Sequence, residues 1–208
     1  MKHSEKVRTL LYGSHDPYEN LDLLPVNNHG WASENPCYND YISAIRPKLI
    51  VEVGTWMGGS ARAFTRHCLE NSINDFEVVC VDTFLGSVEH WNRSSYLMTF
   101  KNGRPTVYDQ FLSNTVHAGY QKYITPFPID SQNGFLTLQQ FGVIPDMIYI
   151  DAGHDYESVK NDIINWTSIL RPGGVLIGDD WHHPPIKCAV KDTIGSVIDR
   201  GAKFVWIK

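Results

Sequence analysis

Excess charge is scarce in this 208-residue chain: 18 Lys and Arg against 23 Asp and Glu leave a formal net charge of −5. That balance gives no general attraction to polyphosphate or to an anionic membrane surface, so small substrates are favoured over nucleic acid or lipid. Cysteine is also sparse. Cys37, Cys68, Cys80 and Cys188 form no CxxC pair and no short secreted framework, which argues against disulfides and structural zinc and fits a reducing cytosol. No run reaches the ~18 apolar residues needed to span a bilayer, and the opening MKHSEKVRTLLYGSHDPYEN lacks the apolar core of a signal peptide. The expectation is a soluble, cytoplasmic protein. Internal repeats and low-complexity tracts are missing as well, which excludes solenoids and arrays.

What is present is enough to fill one core: 42% of residues are hydrophobic and 12% aromatic. Apolar periodicity becomes legible from about Pro47. Lys48–Val53 reads as a strand running into glycines, and Ser60–Glu70 as a helix with Ala61, Phe64 and Cys68 along one side. The alternation continues with strand Glu77–Val81, helix Thr106–Gly119, strand Tyr123–Ile129, helix Gln132–Phe141 and strand Asp146–Ile150. Helix Asp155–Leu170 shows Val159, Ile163, Trp166 and Leu170 at intervals of three and four, and Arg171-Pro172-Gly173-Gly174 ends it. Strand Val175–Gly178, helix Ile186–Asp199 and strand Ala202–Ile207 complete the series.

This pattern predicts a single α/β domain, a Rossmann-like three-layer sandwich with a mostly parallel central sheet and helices on both faces. Ligands are then expected at the carboxyl ends of the strands. Residues 1–46, an N-terminal appendage, and the polar, aromatic-rich insertion 86–105 stand outside the alternation and are candidate covers over that edge.

Two groups of residues carry chemistry there. In Val51-Glu52-Val53-Gly54-Thr55-Trp56-Met57-Gly58-Gly59-Ser60 the glycines fall where a strand must turn tightly into a helix and a ligand can approach the backbone. The spacing is not GxGxxG, and no Lys-Ser/Thr pair follows, so a pyrophosphate cofactor is disfavoured. A carboxylate at Glu52 suits a cationic ligand better than a diphosphate. Asp82, ending the next strand, is placed to accept hydrogen bonds from ribose hydroxyls. Each motif alone could be a turn or a loop cap; together they favour a nucleoside ligand.

The second group is Asp151 and His154 after one strand and Asp179-Asp180 after the following one, with His182 and His183 beyond. Neighbouring strand ends lie about 5 Å apart, so the three acids can converge, and they would repel one another without a cation. Oxygen ligands with open positions describe Mg²⁺, Mn²⁺ or Ca²⁺ better than zinc. A helix cap at Asp155, an Asp-Asp turn and solvated His182 and His183 are the plainer uses of these residues.

Glu52-x-Gly54-x-x-x-Gly58-x-Ser60, Asp82, Ile150-Asp151-Ala152-Gly153-His154 and Leu170-Arg171-Pro172-Gly173-Gly174 together resemble class I S-adenosylmethionine-dependent methyltransferases. The paired acids narrow the likeness to the metal-dependent O-methyltransferases: the macrocin and mycinamicin sugar-methylating group, the catechol and caffeoyl-CoA group, and the cephalosporin-hydroxylase-like proteins. The resemblance implies that Glu52, Gly54, Thr55, Gly58 and Ser60 hold the methionine part and ribose of the cofactor. It further implies that Asp82 holds the ribose hydroxyls, Asp130 and Ser131 the adenine, and Asp151, Asp179 and Asp180 the metal, Mg²⁺ first among the candidates.

In the catechol group a Lys stands three residues after the first metal Asp, where this chain has His154; the sugar group's proposed base is the metal-bound Asp, here Asp151. Both remain candidate bases. A second departure is the ending, where these folds close with an antiparallel strand pair and only Ala202–Ile207 reads as a strand. The implied reaction is methyl transfer to a hydroxyl of a small molecule or sugar, with Trp31, Trp91, Tyr96 and Trp181 as candidates to cover the site. A homo-oligomer is left open. Rival readings are a nicotinamide oxidoreductase, disfavoured by the missing GxGxxG, a non-catalytic nucleoside-binding protein, against which the acids argue, and a hydroxylase, for which no His-x-Asp facial triad is present.

Overall fold

Continuous β-branched runs that are apolar on both faces form the centre of the fold: β1 (Leu49–Val53), β2 (Glu77–Asp82), β5 (Ile124–Pro128), β6 (Met147–Ile150) and β7 (Val175–Gly178) are almost wholly buried. Such runs belong to a parallel sheet covered on both sides. In the computed structural model, which describes residues 6–30, 33–92 and 98–208, two further strands, β8 (Ile198–Arg200) and β9 (Lys203–Ile207), join them, and the sheet order is β5-β2-β1-β6-β7-β9-β8. The first five strands are parallel. β9 runs antiparallel to β7, and β8 antiparallel to β9.

Two apolar clusters, one on each face, make the three layers. On one face α2 (Pro36–Ile45), α3 (Gly59–Glu70) and α5 (Val107–His117) bring Tyr38, Ile42, Phe64 and Phe111 against Ile50, Val78, Tyr149 and Ile177. On the other, α1 (Lys6–Tyr12), α6 (Ser131–Gln140), α7 (Tyr156–Ile169) and α8 (Pro184–Thr193) bring Val7, Leu138, Trp166 and Val190 against Val51, Val79, Ile148 and Leu176. The expected α/β architecture is therefore the observed one. No helix among the described residues is long and apolar enough to cross a membrane.

The chain's ending corrects the expected helix Ile186–Asp199. α8 stops at Thr193, Gly195 takes a left-handed φ of +74°, and the chain reverses into β8, which supplies the missing antiparallel partner. Val190, Ile194, Val197 and Ile198 happen to continue a helical spacing, so periodicity alone ran through the glycine.

The segments read as covers are only partly outside the core. Within residues 1–46, α2 carries the fully buried Tyr38 and Ile42, while Val7 and Arg8 of α1 donate their amides to the buried Glu77 carboxylate at 2.8 Å each. The insertion contributes α4 (Val88–Asn92) and the two-residue hairpin β3 (Phe100–Lys101) and β4 (Arg104–Pro105).

Candidate active site

Parallel register brings the functional residues to one edge. The amide of Gly54 donates to Val81 O, that of Asp151 to Val53 O and that of Asp179 to Ile150 O, so the chain leaves β1, β6 and β7 in step. At the first exit Gly54 has φ +85°, and a Cβ there would overlap the carbonyl of Asp151. Gly58, with φ +79°, starts α3 as its N-cap. Glycine lets the first turn lie against the exit of the neighbouring strand, and at Gly58 it allows a left-handed φ where a Cβ would press on the Phe111 ring.

Beneath the turn Glu52 is fully buried. Its carboxylate accepts from Thr55 Oγ1 at 2.5 Å, from Ser60 Oγ and, more distantly, from Cys80 Sγ at 3.5 Å. Burial pushes its pKa up to about 7, with the two hydroxyls pulling the other way and Asp151 adding to the rise. An acid held by neutral donors is one that a cationic ligand would favour in its ionised form. The cofactor implied by the resemblance carries a sulfonium and an ammonium, so this donor set fits it.

Asp82 pins the same loop from the end of β2. Its Oδ2 accepts the amides of Thr55 and Trp56 at 2.8 and 2.9 Å, and its Oδ1 that of Phe84 at 2.7 Å. Trp56, at φ +51°, stacks on His90 of α4 with centroids 4.2 Å apart. The arm before α2 closes the other side: Asn114 of α5 accepts from the Asn27 amide and donates to Asn27 O and to Met57 O. Sequence reading passed over Trp56, His90 and Asn114 because each looks like an ordinary loop or helix residue until the chain brings them together.

After β5, Asp130 caps α6, accepting from the amide and the side chain of Asn133, which holds its carboxyl below the usual range. The Ser131 hydroxyl points to the α6–α7 interface, donating to Asp162 at 2.5 Å and accepting from Trp166 Nε1 at 2.9 Å. The Asp130 carboxylate itself is exposed.

At the ends of β6 and β7, Asp151, His154 and Asp180 come together, one ligand atom from each lying within 4.8 Å of the others. His154 Nε2 is 3.1 Å from Asp180 Oδ2 and 4.0 Å from Asp151 Oδ1. Burial raises Asp151 to about 7, the neighbouring Asp179 adds to the rise, and His154 and Lys203 oppose it. Asp180, His182 and His183 form an overlapping group. Asp179 stands apart: it is buried and ion-paired to the buried Lys203, while Tyr149 OH donates to it at 2.7 Å. Two carboxylates at a partly open strand end, with an imidazole beside them, fit a divalent cation with positions to spare.

Of the aromatic covers, Trp91 is half exposed, with its Nε1 on Leu85 O and its ring against Phe100. Trp181 is held by Asp199 and Phe204 at the β8 end. Trp31 and Tyr96 lie outside the described residues.

A family model described as a methyltransferase domain matches residues 51–181. No curated protein sequence matches the chain. Among solved structures, the chain is similar to an O-methyltransferase from Bacillus cereus in complex with SAH (16% identity, 99% of this chain and 90% of that one, TM-score 0.58). It is also similar to the O-methyltransferase TomG from Streptomyces achromogenes in complex with SAM (14%, 99% and 87%, TM-score 0.58), and to the calicheamicin methyltransferase CalS11 (17%, 82% and 76%, TM-score 0.58). These likenesses bear on the fold, whereas the family match spans the glycine turn, Asp82 and the whole acid cluster. With a family match over residues 51–181 and the parallel sheet that carries it, the chain belongs to the methyltransferase domain family, as a class I, S-adenosylmethionine-dependent enzyme.

Proposed function

We propose that this methyltransferase acts on a hydroxyl oxygen of a small molecule or sugar, with a divalent cation at the carboxyl ends of β6 and β7. The observation that carries the reading is the convergence of Asp151, His154 and Asp180 beside the glycine turn. A cation bound there would lower the pKa of the acceptor hydroxyl and offset the negative charge it develops. Mg²⁺ is the first candidate, because carboxylates dominate the set.

The chain's own groups do the remaining work. Glu52, through Thr55 and Ser60, sets a negative potential under the methionine end of the cofactor. A carboxylate offers about four lone-pair sites; three amides occupy Asp82, leaving room for one ribose hydroxyl. Asp130, with the amides beside Ser131 at the start of α6, would hold the adenine. Asp151 and Asp180 would hold the cation, and His154, close to both, would accept the acceptor's proton; Asp151 is the alternative base. Holding donor and acceptor in line converts a bimolecular encounter into a positioned one.

The test is transfer of a labelled methyl group from S-adenosylmethionine to a panel of sugars and catechols, with Mg²⁺ and with a chelator. The expected product is Mg²⁺-dependent and is lost in D180N. Transfer that persists undiminished under chelation would overturn the cation reading while leaving the methyltransferase itself in place.

A further inference from the structure

Lys203 is fully buried, and a buried ammonium is tolerated only when paired. β9 puts it there. Lys203 and Val205 alternate onto the face of the sheet that carries Ile177 and Tyr149, with Lys203 at the carboxyl end of β7 beyond the Gly178–Phe204 pair. Its Nζ donates to Asp179 Oδ2 and, at 3.0 Å, to Tyr149 OH. The Tyr149 hydroxyl also accepts from Tyr38 OH at 3.1 Å, donates to Asp179 at 2.7 Å, and has Asp151 Oδ2 at 3.3 Å. The other oxygen of Asp179 accepts the Asp180 amide at 2.6 Å. Both oxygens of Asp179 are thus engaged from the protein side, whereas the side chains of Asp151, His154 and Asp180 remain 26%, 41% and 26% exposed at the edge.

We propose that Lys203 is a positioning residue, an internal counter-ion that holds Asp179 inward so that the cation site consists of Asp151 and Asp180, with His154 beside it, rather than the Asp179–Asp180 pair. The inference rests on the cation reading above. Removing the ammonium takes a positive charge away from the site and frees a third carboxylate to turn toward it; both effects strengthen divalent binding. A role limited to filling space would leave binding unchanged or weaken it.

The experiment is titration of Mn²⁺ alone into the full chain, with free Mn²⁺ read by electron paramagnetic resonance, for wild type, K203M, D179N and K203M/D179N, each first checked for folding by circular dichroism. K203M is expected to bind Mn²⁺ about fivefold tighter than wild type. The double variant, which loses both charges and no ligand, is expected to stay within about threefold of wild type. A loss of about tenfold or more in the double variant makes Asp179 a ligand and overturns the inference; so does a K203M affinity equal to or below that of wild type. Should K203M fail to fold, the double variant, which buries no unpaired charge, decides alone. Absence of binding by wild type, whether or not K203M binds, would sink the cation reading of the native enzyme and with it the role of Lys203, whereas the two outcomes above overturn that role while the cation reading stands.

Discussion

Replacing Glu52 by Gln isolates the electrostatic state of the cofactor floor. Burial raises the Glu52 pKa from 4.5 to about 7. A carboxyl with a folded-state pKa above its unfolded value contributes stability that is fully present below the unfolded pKa and is lost as pH rises through the folded one. At 1.36 kcal/mol per pKa unit, the wild type should lose about 2.5 kcal/mol relative to E52Q between pH 5 and pH 8. Gln keeps one oxygen acceptor and can donate its amide N–H to the other hydroxyl oxygen of the Thr55 and Ser60 pair, and it has no charge to desolvate, so E52Q without cofactor is the more stable protein at pH 8. Its affinity for S-adenosylmethionine should fall, because the negative charge facing the cationic ligand is gone. Urea denaturation of both proteins at half-unit steps of pH is the assay. Parallel stability profiles, or a wild type that gains on E52Q as pH rises, would refute the reasoning.

Three further outcomes follow from the same contacts. Asp162→Asn should flatten the stability profile between pH 4 and 7 and gain up to about 3 kcal/mol at pH 7, since burial raises Asp162 to about 6 and Asn still accepts from Ser131; an unchanged urea midpoint at pH 7 would contradict this. Gly54→Ala, at φ +85° and against the carbonyl of Asp151, should cost about 3 kcal/mol or more in urea denaturation. His154→Asn should lower kcat by about 10²- to 10⁴-fold while binding of S-adenosylhomocysteine, by calorimetry, stays as in wild type; an equal loss of binding would make His154 part of the cofactor pocket instead.

Much of the architecture was legible because a buried parallel strand must be apolar on both faces, and β1, β2, β6 and β7 are. Strand ends were legible for the same reason: Glu52, Asp82, Asp151 and Asp179 interrupt or end apolar runs at places where a charge has no purely local use. β8 was not, since three exposed residues, Ile198 to Arg200, carry no burial pattern to read. The engagement of Asp179 was hidden as well. Lys203 in Gly201-Ala202-Lys203-Phe204 looks like a solvent-facing strand residue, and only the antiparallel register of β9 against β7 sends its ammonium under the site. Ser131 shows the same limit, for its hydroxyl finds Asp162, 31 residues away in sequence. Adjacency in space made through strand order is the part that spacing along a chain does not encode.

The most direct test of the account is a calorimetric titration of the chain with S-adenosylhomocysteine, in Mg²⁺ and after chelation. The account predicts one-to-one binding near ~10 µM, about −7 kcal/mol, under both conditions, because the glycine turn, Glu52 and Asp82 hold the cofactor without the cation. No heat and no thermal shift at millimolar ligand would contradict it, and would return Glu52, Asp82 and the converging acids to roles in folding alone.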